Sequence, residues 1–196
     1  MSAPLLPLPA EMVHPSHFEA LFPALGPSAV NRLRGCARLS MRLSMRLAGR
    51  TGVPAALPSP GEPVGFERLA LLSPERIDEA GRLMGAAWHG RTLQSCISAE
   101  FVSEIDARLG RPARLFGLRN AALAVVDAPP GSPGALVDAI VANGRACLVA
   151  WRDGLSGPYR HLADLKLPCR GLPAAAESDK AQPIIGHVVR EMADAR

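Results

Sequence analysis

The segment AAWHGRTLQSCIS, residues 86–98, brings a histidine and a cysteine close together, and these residue types can act as a general base and a nucleophile. If the segment is one helix, His89 and Cys96 share a face but lie about 10 Å apart along the helix axis. A thiol and its base must approach to about 3 Å to share a hydrogen bond. A direct dyad is therefore excluded unless Gly90 breaks the helix and folds the two pieces together.

The cysteines are better interpreted as structural. Leu93 and Ile97 lie at i, i+4 positions beside Cys96, which predicts a buried thiol in a packed helix face. The spacing of the four cysteines matches no CxxC or zinc motif, which favours reduced thiols in a cytoplasmic protein. These cysteines are Cys36, Cys96, Cys147 and Cys169.

The other polar residues offer no catalytic or metal-binding pattern. His14 and His17 have an i, i+3 spacing, but no cysteine or carboxylate accompanies them at a recognised ligand spacing. Glu104 and Asp106 fall on different faces of a predicted helix, so they cannot easily share a substrate atom. The sequence contains no GxGxxG, GxxxxGK[ST] or GxSxG motif. We therefore expect no catalytic residue, no metal and no cofactor.

The composition predicts an all-α fold. Apolar residues make up 48% of the chain and aromatic residues only 4%, so aliphatic side chains must build the core. Abundant proline and glycine should keep the helices short. We predict a single irregular bundle of about seven short-to-medium helices, with or without a small N-terminal lobe. The N-terminus lacks the basic start of a secretory signal, and no run reaches the roughly 18 apolar residues needed to span a bilayer.

Proline and glycine also mark the expected domain boundaries. Residues 1–11 should form an extended arm, residues 12–168 a helical domain, and residues 169–196 a loop with a C-terminal helix. The linker TGVPAALPSPGEPVG divides the helical domain into candidate sub-lobes at 12–52 and 66–168.

The longest helix predicted in the first half carries the repeat RLSMRLSMRL. Arginine recurs every four residues here, and a period of four on a 3.6-residue helix gives a slowly winding basic ridge beside a leucine ridge. The segment between Glu19 and Glu62 has no acidic residue, so the net charge of +4 is concentrated there. We call this candidate partner-binding set the arginine ridge: Arg34, Arg38, Arg42, Arg46 and Arg50.

The arginine ridge is open to three interpretations. It can be a solvated helix face whose long stems cover apolar surface. It can bind an acidic partner surface or acidic membrane headgroups. It can bind nucleic acid, although the rest of the chain is close to neutral and lacks interleaved aromatic residues.

Three segments in this order resemble the SctK family, accessory proteins of bacterial type III secretion systems. They are MVHPSHFEALFP, GRLMGAAWHGRTLQSCIS and GRACLVAWRDGLSGPYRHLADLKLP, and the resemblance covers roughly residues 12–168. The matching family-signature residues, all structural, are His14, Trp88, His89, Gly90, Cys96, Trp151, Leu165, Leu167 and Pro168. The resemblance does not account for the arginine ridge or for the tail after Pro168.

The resemblance implies a cytoplasmic, non-enzymatic, largely helical adaptor of the secretion sorting platform. Its partners would be the SctQ-like pod component and the cytoplasmic domain of the inner-membrane ring protein. The adaptor would be needed for platform assembly and protein export, and would be peripheral to the membrane, not inserted. The alternatives are a basic helical nucleic-acid-binding or regulatory protein and, more remotely, a thiol enzyme that uses Cys96.

Overall fold

A computed structural model describes residues 8–51, 65–129 and 131–194, and within these ranges the chain is helical with no strand. The predicted all-α fold is therefore confirmed, with ten α-helices in the described residues instead of about seven. The α-helices are α1 (Pro15–Leu21), α2 (Pro27–Arg34), α3 (Ala37–Thr51), α4 (Pro74–Trp88), α5 (Gly90–Ser95), α6 (Ala99–Leu109), α7 (Arg111–Arg119), α8 (Pro133–Asp153), α9 (Gly157–Lys166) and α10 (Ser178–Asp194). Short 3-10 helices occur at Ala10–Met12, Gly65–Leu71 and Ala121–Leu123.

The chain forms two compact units, each built from segments that are distant in sequence. Unit 1 combines the chain up to Ile77 with Leu155–Leu172, and unit 2 combines Asp78–Gly154 with the chain from Pro173. Because α9 belongs with the N-terminal helices, these units do not follow the linear sub-lobes 12–52 and 66–168. The linker between those sub-lobes lies outside the described residues except at its ends, so that division stays a prediction.

In unit 1, α1 and α2 pack with each other and with α3, while α9 packs against the 3-10 helix Gly65–Leu71. The apolar positions recur at helical spacing, which is why each helix buries one stripe. The core side chains include Phe18, Val30, Leu43, Leu47 and Leu162, all at most 8% exposed.

The structure breaks the helix that carries the arginine ridge. The segment at residues 26–52 predicts one helix, but α2 ends at Arg34 and α3 begins at Ala37. Gly35 caps α2, and its N–H donates to the Asn31 carbonyl at 3.1 Å. That single-helix prediction is wrong because glycine is a poor interior helix residue and because Arg34 donates to the carbonyls of Ala10 and Glu11.

In unit 2, α8 contacts α6 and α10, and α7 contacts α5 and α6. By length and composition α8 could cross a membrane, since an 18-residue window has a mean hydropathy of 1.3. Its apolar side chains have partners within the unit, however, and Ile140, Leu148 and Trp151 are at most 3% exposed. Packing thus accounts for the apolar character of this helix.

Glycines let α4 and α8 cross with their backbones in contact. A Cβ atom on Gly85 would overlap the carbonyl of Ile140, and one on Gly144 would overlap the carbonyl of Gly81. Larger residues would force these two helices apart, because the interior has no room for extra atoms.

Two predicted boundaries in unit 2 are wrong. The segment RPARLFGLRNAALAVV, residues 111–126, predicts one helix, but the observed helix ends at Arg119, where Asn120 caps it. The segment CRGLPAAAESDKAQP predicts a loop that ends at Pro183, but α10 begins at Ser178 and includes Pro183. Proline removes one intrahelical hydrogen bond, and burial of Ile184, Ile185 and Val188 offsets that cost.

Candidate partner-binding surface

The RLSM repeat of α3 places each residue type on its own stripe. Leu43 and Leu47 are 8% and 3% exposed, so the leucines face the core as the sequence predicts. Met41 and Met45, in contrast, are 55% and 66% exposed. Because every residue type recurs after four positions, successive copies remain neighbours on the helix surface.

The serines of the same repeat hold the N-terminal arm. The Ser40 Oγ accepts a hydrogen bond from the Ala10 N–H at 2.8 Å, and the Ser44 hydroxyl donates to the Leu8 carbonyl at 2.5 Å. Leu8 and Ala10 are fully buried, so the described part of the arm packs along α3. Nothing in the sequence predicts this contact except the two serines, which are spaced i, i+4 beside the leucine stripe.

Arg34 is a buried structural residue, so its predicted role as a partner-binding member of the arginine ridge is wrong. Its guanidinium donates to the carbonyls of Ala10 at 3.4 Å and Glu11 at 2.9 Å, and to the Asn31 side chain at 3.2 Å. Burial lowers the pKa of Arg34, while the charges of Glu75 and Glu11 oppose that shift. The exposed part of the ridge therefore begins at Arg38.

The remaining basic residues share one surface with the methionines. We call this surface the α3 outer face: Arg38, Met41, Arg42, Met45 and Arg46, all exposed. Within the part of the chain that the structure describes, Arg38 and Arg42 have no ion-pair partner. The Arg46 guanidinium lies over the Phe22 ring, 5.5 Å from its centroid. The side chain of Arg50 lies outside the described residues.

Such a surface combines charge with adaptable apolar contact. Arginine forms forked hydrogen bonds with carboxylates. Exposed methionine is flexible and polarizable, and it is common on protein-binding surfaces. The α3 outer face is therefore suited to an acidic surface that also carries apolar side chains.

Two family-signature segments meet in unit 1. The His14 N–H donates to the Leu165 carbonyl at 2.9 Å, which joins the start of α1 to the end of α9. The His17 Nε2 lies 3.1 Å from the Asp164 carbonyl oxygen and 3.0 Å from that of Leu167, so Nε2 carries the proton. These histidines therefore tie together two segments that are about 150 residues apart in sequence.

The adjoining signature residues complete that junction. The His14 Nδ1 accepts from the Ser16 N–H at 3.2 Å and so caps α1. Ser16 Oγ accepts from the Cys169 N–H at 3.0 Å, just after Pro168. Leu165 and Leu167 are at most 3% exposed, so the LKLP segment belongs to the core of the unit.

In unit 2, the chain does break at the Trp-His-Gly segment, which is the condition under which His89 and Cys96 could have approached each other. Helix α4 ends at Trp88, whose carbonyl accepts from the N–H groups of Val125 and Val126 at 3.0 and 3.1 Å. Helix α5 begins at Gly90, where a Cβ would lie 2.7 Å from the Gly117 carbonyl. Only glycine allows that approach of α5 to α7.

The break does not bring His89 to Cys96. Asn143 is 2.8 Å from the His89 Nε2, and the Cys96 thiol donates to the Thr92 carbonyl at 3.2 Å. Burial lowers the pKa of His89 and raises the pKa of Cys96, which favours a neutral ring and a protonated thiol. Neither shift creates a nucleophile and base.

Helix α5 is shorter than the sequence suggests, and this changes the surroundings of Cys96. The helix ends at Ser95, so Cys96 is only half-buried and Ile97 is 91% exposed. The expected packing of Ile97 beside Leu93 is therefore wrong. Leu93 alone is buried, at 2% exposed.

Comparison with known proteins identifies relatives over most of the chain. The chain is 31% identical to the nodulation protein NolU of Rhizobium fredii over 174 residues, which covers 86% of this chain and 75% of NolU. The NolU of Sinorhizobium fredii (strain NBRC 101917 / NGR234) matches with the same identity and coverage. No family model and no solved structure matches. The chain therefore belongs to the NolU-containing, SctK-like family of type III secretion-associated proteins.

Proposed function

We propose that the chain is a non-enzymatic adaptor of the type III secretion sorting platform. It links the cytoplasmic domain of the inner-membrane ring protein to the SctQ-like pods, and it acts at the cytoplasmic face of the inner membrane through these partners. Platform assembly and protein export depend on that link. This proposal combines family membership with an exposed surface suited to protein binding.

The observation that carries the proposal is the α3 outer face. It presents Arg38 and Arg42 without internal ion pairs in the described chain, next to Met41 and Met45, which are more than half exposed. In water, the two exposed methionine side chains contribute no free energy of burial. A partner that covers them removes their apolar surface from water, which stabilises the complex. The basic charge selects an acidic partner and accelerates its encounter.

The test is charge reversal on this face. The full chain with Arg38→Glu, Arg42→Glu and Arg46→Glu is compared with the wild type for binding to the purified pod component and ring domain of the same host. We expect at least tenfold weaker binding of one partner at about 0.1 M salt, because like charges now oppose each other. The helical circular dichroism should be unchanged. Because Arg46 packs over Phe22, the double variant with Arg38→Glu and Arg42→Glu separates binding from local packing.

The matched control reverses three exposed arginines elsewhere, at Arg111, Arg170 and Arg190. It changes the net charge equally, so similar weakening would point to non-specific attraction. Unchanged binding of both partners by the α3 variant would exclude this face, and failure of the wild type to bind either partner would exclude the adaptor function.

The same variants test the alternative of nucleic-acid binding, which the exposed arginines also permit. That alternative expects the wild type to retard duplex DNA with a steep salt dependence. The two methionines favour a protein partner, because they offer no hydrogen bond to phosphate.

A further inference from the structure

A second basic surface lies within unit 2, in a groove lined by α4, α6 and α8. Its volume is about 250 Å³, and its lining residues are Asp78, Gly81, Arg82, Arg108, Val141, Arg145 and Leu148. We call it the unit 2 groove. None of these residues belongs to the arginine ridge or to the single family-signature residues, although Gly81, Arg82, Arg145 and Leu148 lie within two of the family-signature segments.

The rim of the unit 2 groove carries an excess of positive charge. Arg82, Arg108 and Arg145 are exposed, against one acidic residue, Asp78. Arg108 pairs with Glu104 at 2.9 Å. For Arg82 and Arg145, the described part of the chain supplies no ion-pair partner. Two guanidinium groups are thus available to an external carboxylate.

The floor of the groove is apolar and is created by the close helix crossing. A Cβ on Gly81 would lie 2.8 Å from the Leu148 side chain, so glycine lets Leu148 pack directly against α4 at the floor. Val141 is half-buried at the same floor. An apolar side chain of a partner can therefore lie between the arginines and contact the carbon atoms of the groove floor.

Size and charge decide which anion fits. Sites for drug-sized ligands are typically about 300–1,000 Å³, and the groove, at about 250 Å³, is smaller. It fits one or two side chains rather than a nucleotide. Asp78 also disfavours a compact polyanion such as phosphate, whereas separated carboxylates can approach the arginines and avoid it.

We infer that the unit 2 groove binds a short acidic segment of a partner protein, with an apolar side chain on the floor and carboxylates on Arg82 and Arg145. This inference rests on the proposed adaptor function, since an adaptor needs more than one binding surface. The α3 outer face belongs to unit 1 and the groove to unit 2, so each unit carries one basic docking surface.

Paired substitutions test the inference with the full chain. The variant with Arg82→Gln and Arg145→Gln should bind either the pod component or the ring domain at least tenfold more weakly than the wild type. The control with Arg111→Gln and Arg190→Gln removes the same charge from exposed sites of unit 2 outside the groove and should change binding less than threefold. Asp78→Asn should strengthen binding of the affected partner about two- to fivefold, which loss of stability could not produce.

A photoreactive benzoylphenylalanine at Val141 identifies what occupies the groove. Illumination of the complex should join this position to a partner peptide that contains at least two carboxylates. Cross-linking to a peptide without acidic residues, or displacement of the partner by inorganic phosphate more effectively than by chloride of equal ionic strength, would overturn the inference.

The two proposals fail in different ways. If the wild type binds a partner and the groove variants leave that binding unchanged, the groove inference is wrong and the adaptor function stands. If the wild type binds neither partner, both are wrong.

Discussion

The Asn143 side-chain amide lies 2.8 Å from the His89 Nε2 and joins α8 to the junction of α4 and α5. The amide nitrogen can only donate, so His89 must be neutral with Nε2 as the acceptor. The buried Nδ1 has no partner of normal hydrogen-bond geometry in the described structure, although the Ala139 carbonyl is close enough to favour a proton on the ring. Burial outweighs that carbonyl and lowers the pKa of His89.

This pair predicts loss of stability in mild acid. Because the folded-state pKa of His89 is lower than its unfolded value of about 6.5, the unfolded chain takes up a proton first. The contribution of His89 to the free energy of unfolding should therefore be fully present above pH 6.5. It should fall as the pH drops towards the folded-state pKa. Urea unfolding between pH 5 and 8 measures this slope, which His89→Gln should reduce. Substitution of the exposed His161 by Gln is the control, and an equal reduction there would contradict the assignment.

Lys166 predicts that stability rises with pH in alkali as well, with the same sign as His89. It is 1% exposed, its Nζ donates to the Leu72 carbonyl, and burial lowers its pKa to about 8. Between pH 8 and 10.5 the folded chain has lost this proton while the unfolded chain retains it, so this residue's contribution to stability rises by on the order of 3 kcal/mol.

The measurement is the difference in unfolding free energy between the wild type and Lys166→Met across that pH range. A difference is needed because Cys147, whose pKa is raised to about 12 by burial, lowers stability above pH 9. Substitution of the exposed Lys180 by Met is the matched control, since the chain has only these two lysines. A flat difference curve would show that Lys166 is not buried as a cation.

Arg34 should be important for stability and not for partner binding. Arg34→Met retains most of the apolar stem but leaves the carbonyls of Ala10 and Glu11 without their donor, which should cost about 2–4 kcal/mol. Urea unfolding gives the loss, and limited proteolysis should show earlier cleavage near residue 10. The exposed neighbour Arg32, changed to Met, should have little effect on either. If the Arg34→Met variant were as stable as the wild type but no longer bound a partner, Arg34 would instead be a partner-binding residue.

Cys96 should behave as a packing residue. Cys96→Ala removes a half-buried thiol that donates to Thr92, which should cost about 1 kcal/mol of stability. Binding of the pod component and the ring domain should be unchanged. Abolished function in a folded Cys96→Ala protein would support the thiol-enzyme alternative.

The positions at which several helices begin and end were predictable, because they depend on neighbouring residues alone. The sequence Ser-Pro-Glu at residues 73–75 is typical of a helix start, and in the structure Ser73 accepts from the Arg76 N–H at 3.4 Å while Pro74 is the first residue of α4. Gly110 ends α6 with a φ of 93°, a conformation that glycine adopts readily. The Trp-His-Gly break was visible for the same reason.

The sequence by itself determined the helical class, the leucine stripe of α3 and the localised basic charge, since periodicity and composition suffice for each. Only the tertiary structure decided which arginines remain exposed. Arg34 fits the four-residue period as well as Arg38, but it turns inward because the arm presents carbonyls to it. The unit 2 groove likewise depends on residues more than 60 positions apart, such as Arg82 and Arg145, which only the crossing of α4 and α8 brings together. Long-range packing, which no local pattern encodes, thus defines both candidate docking surfaces.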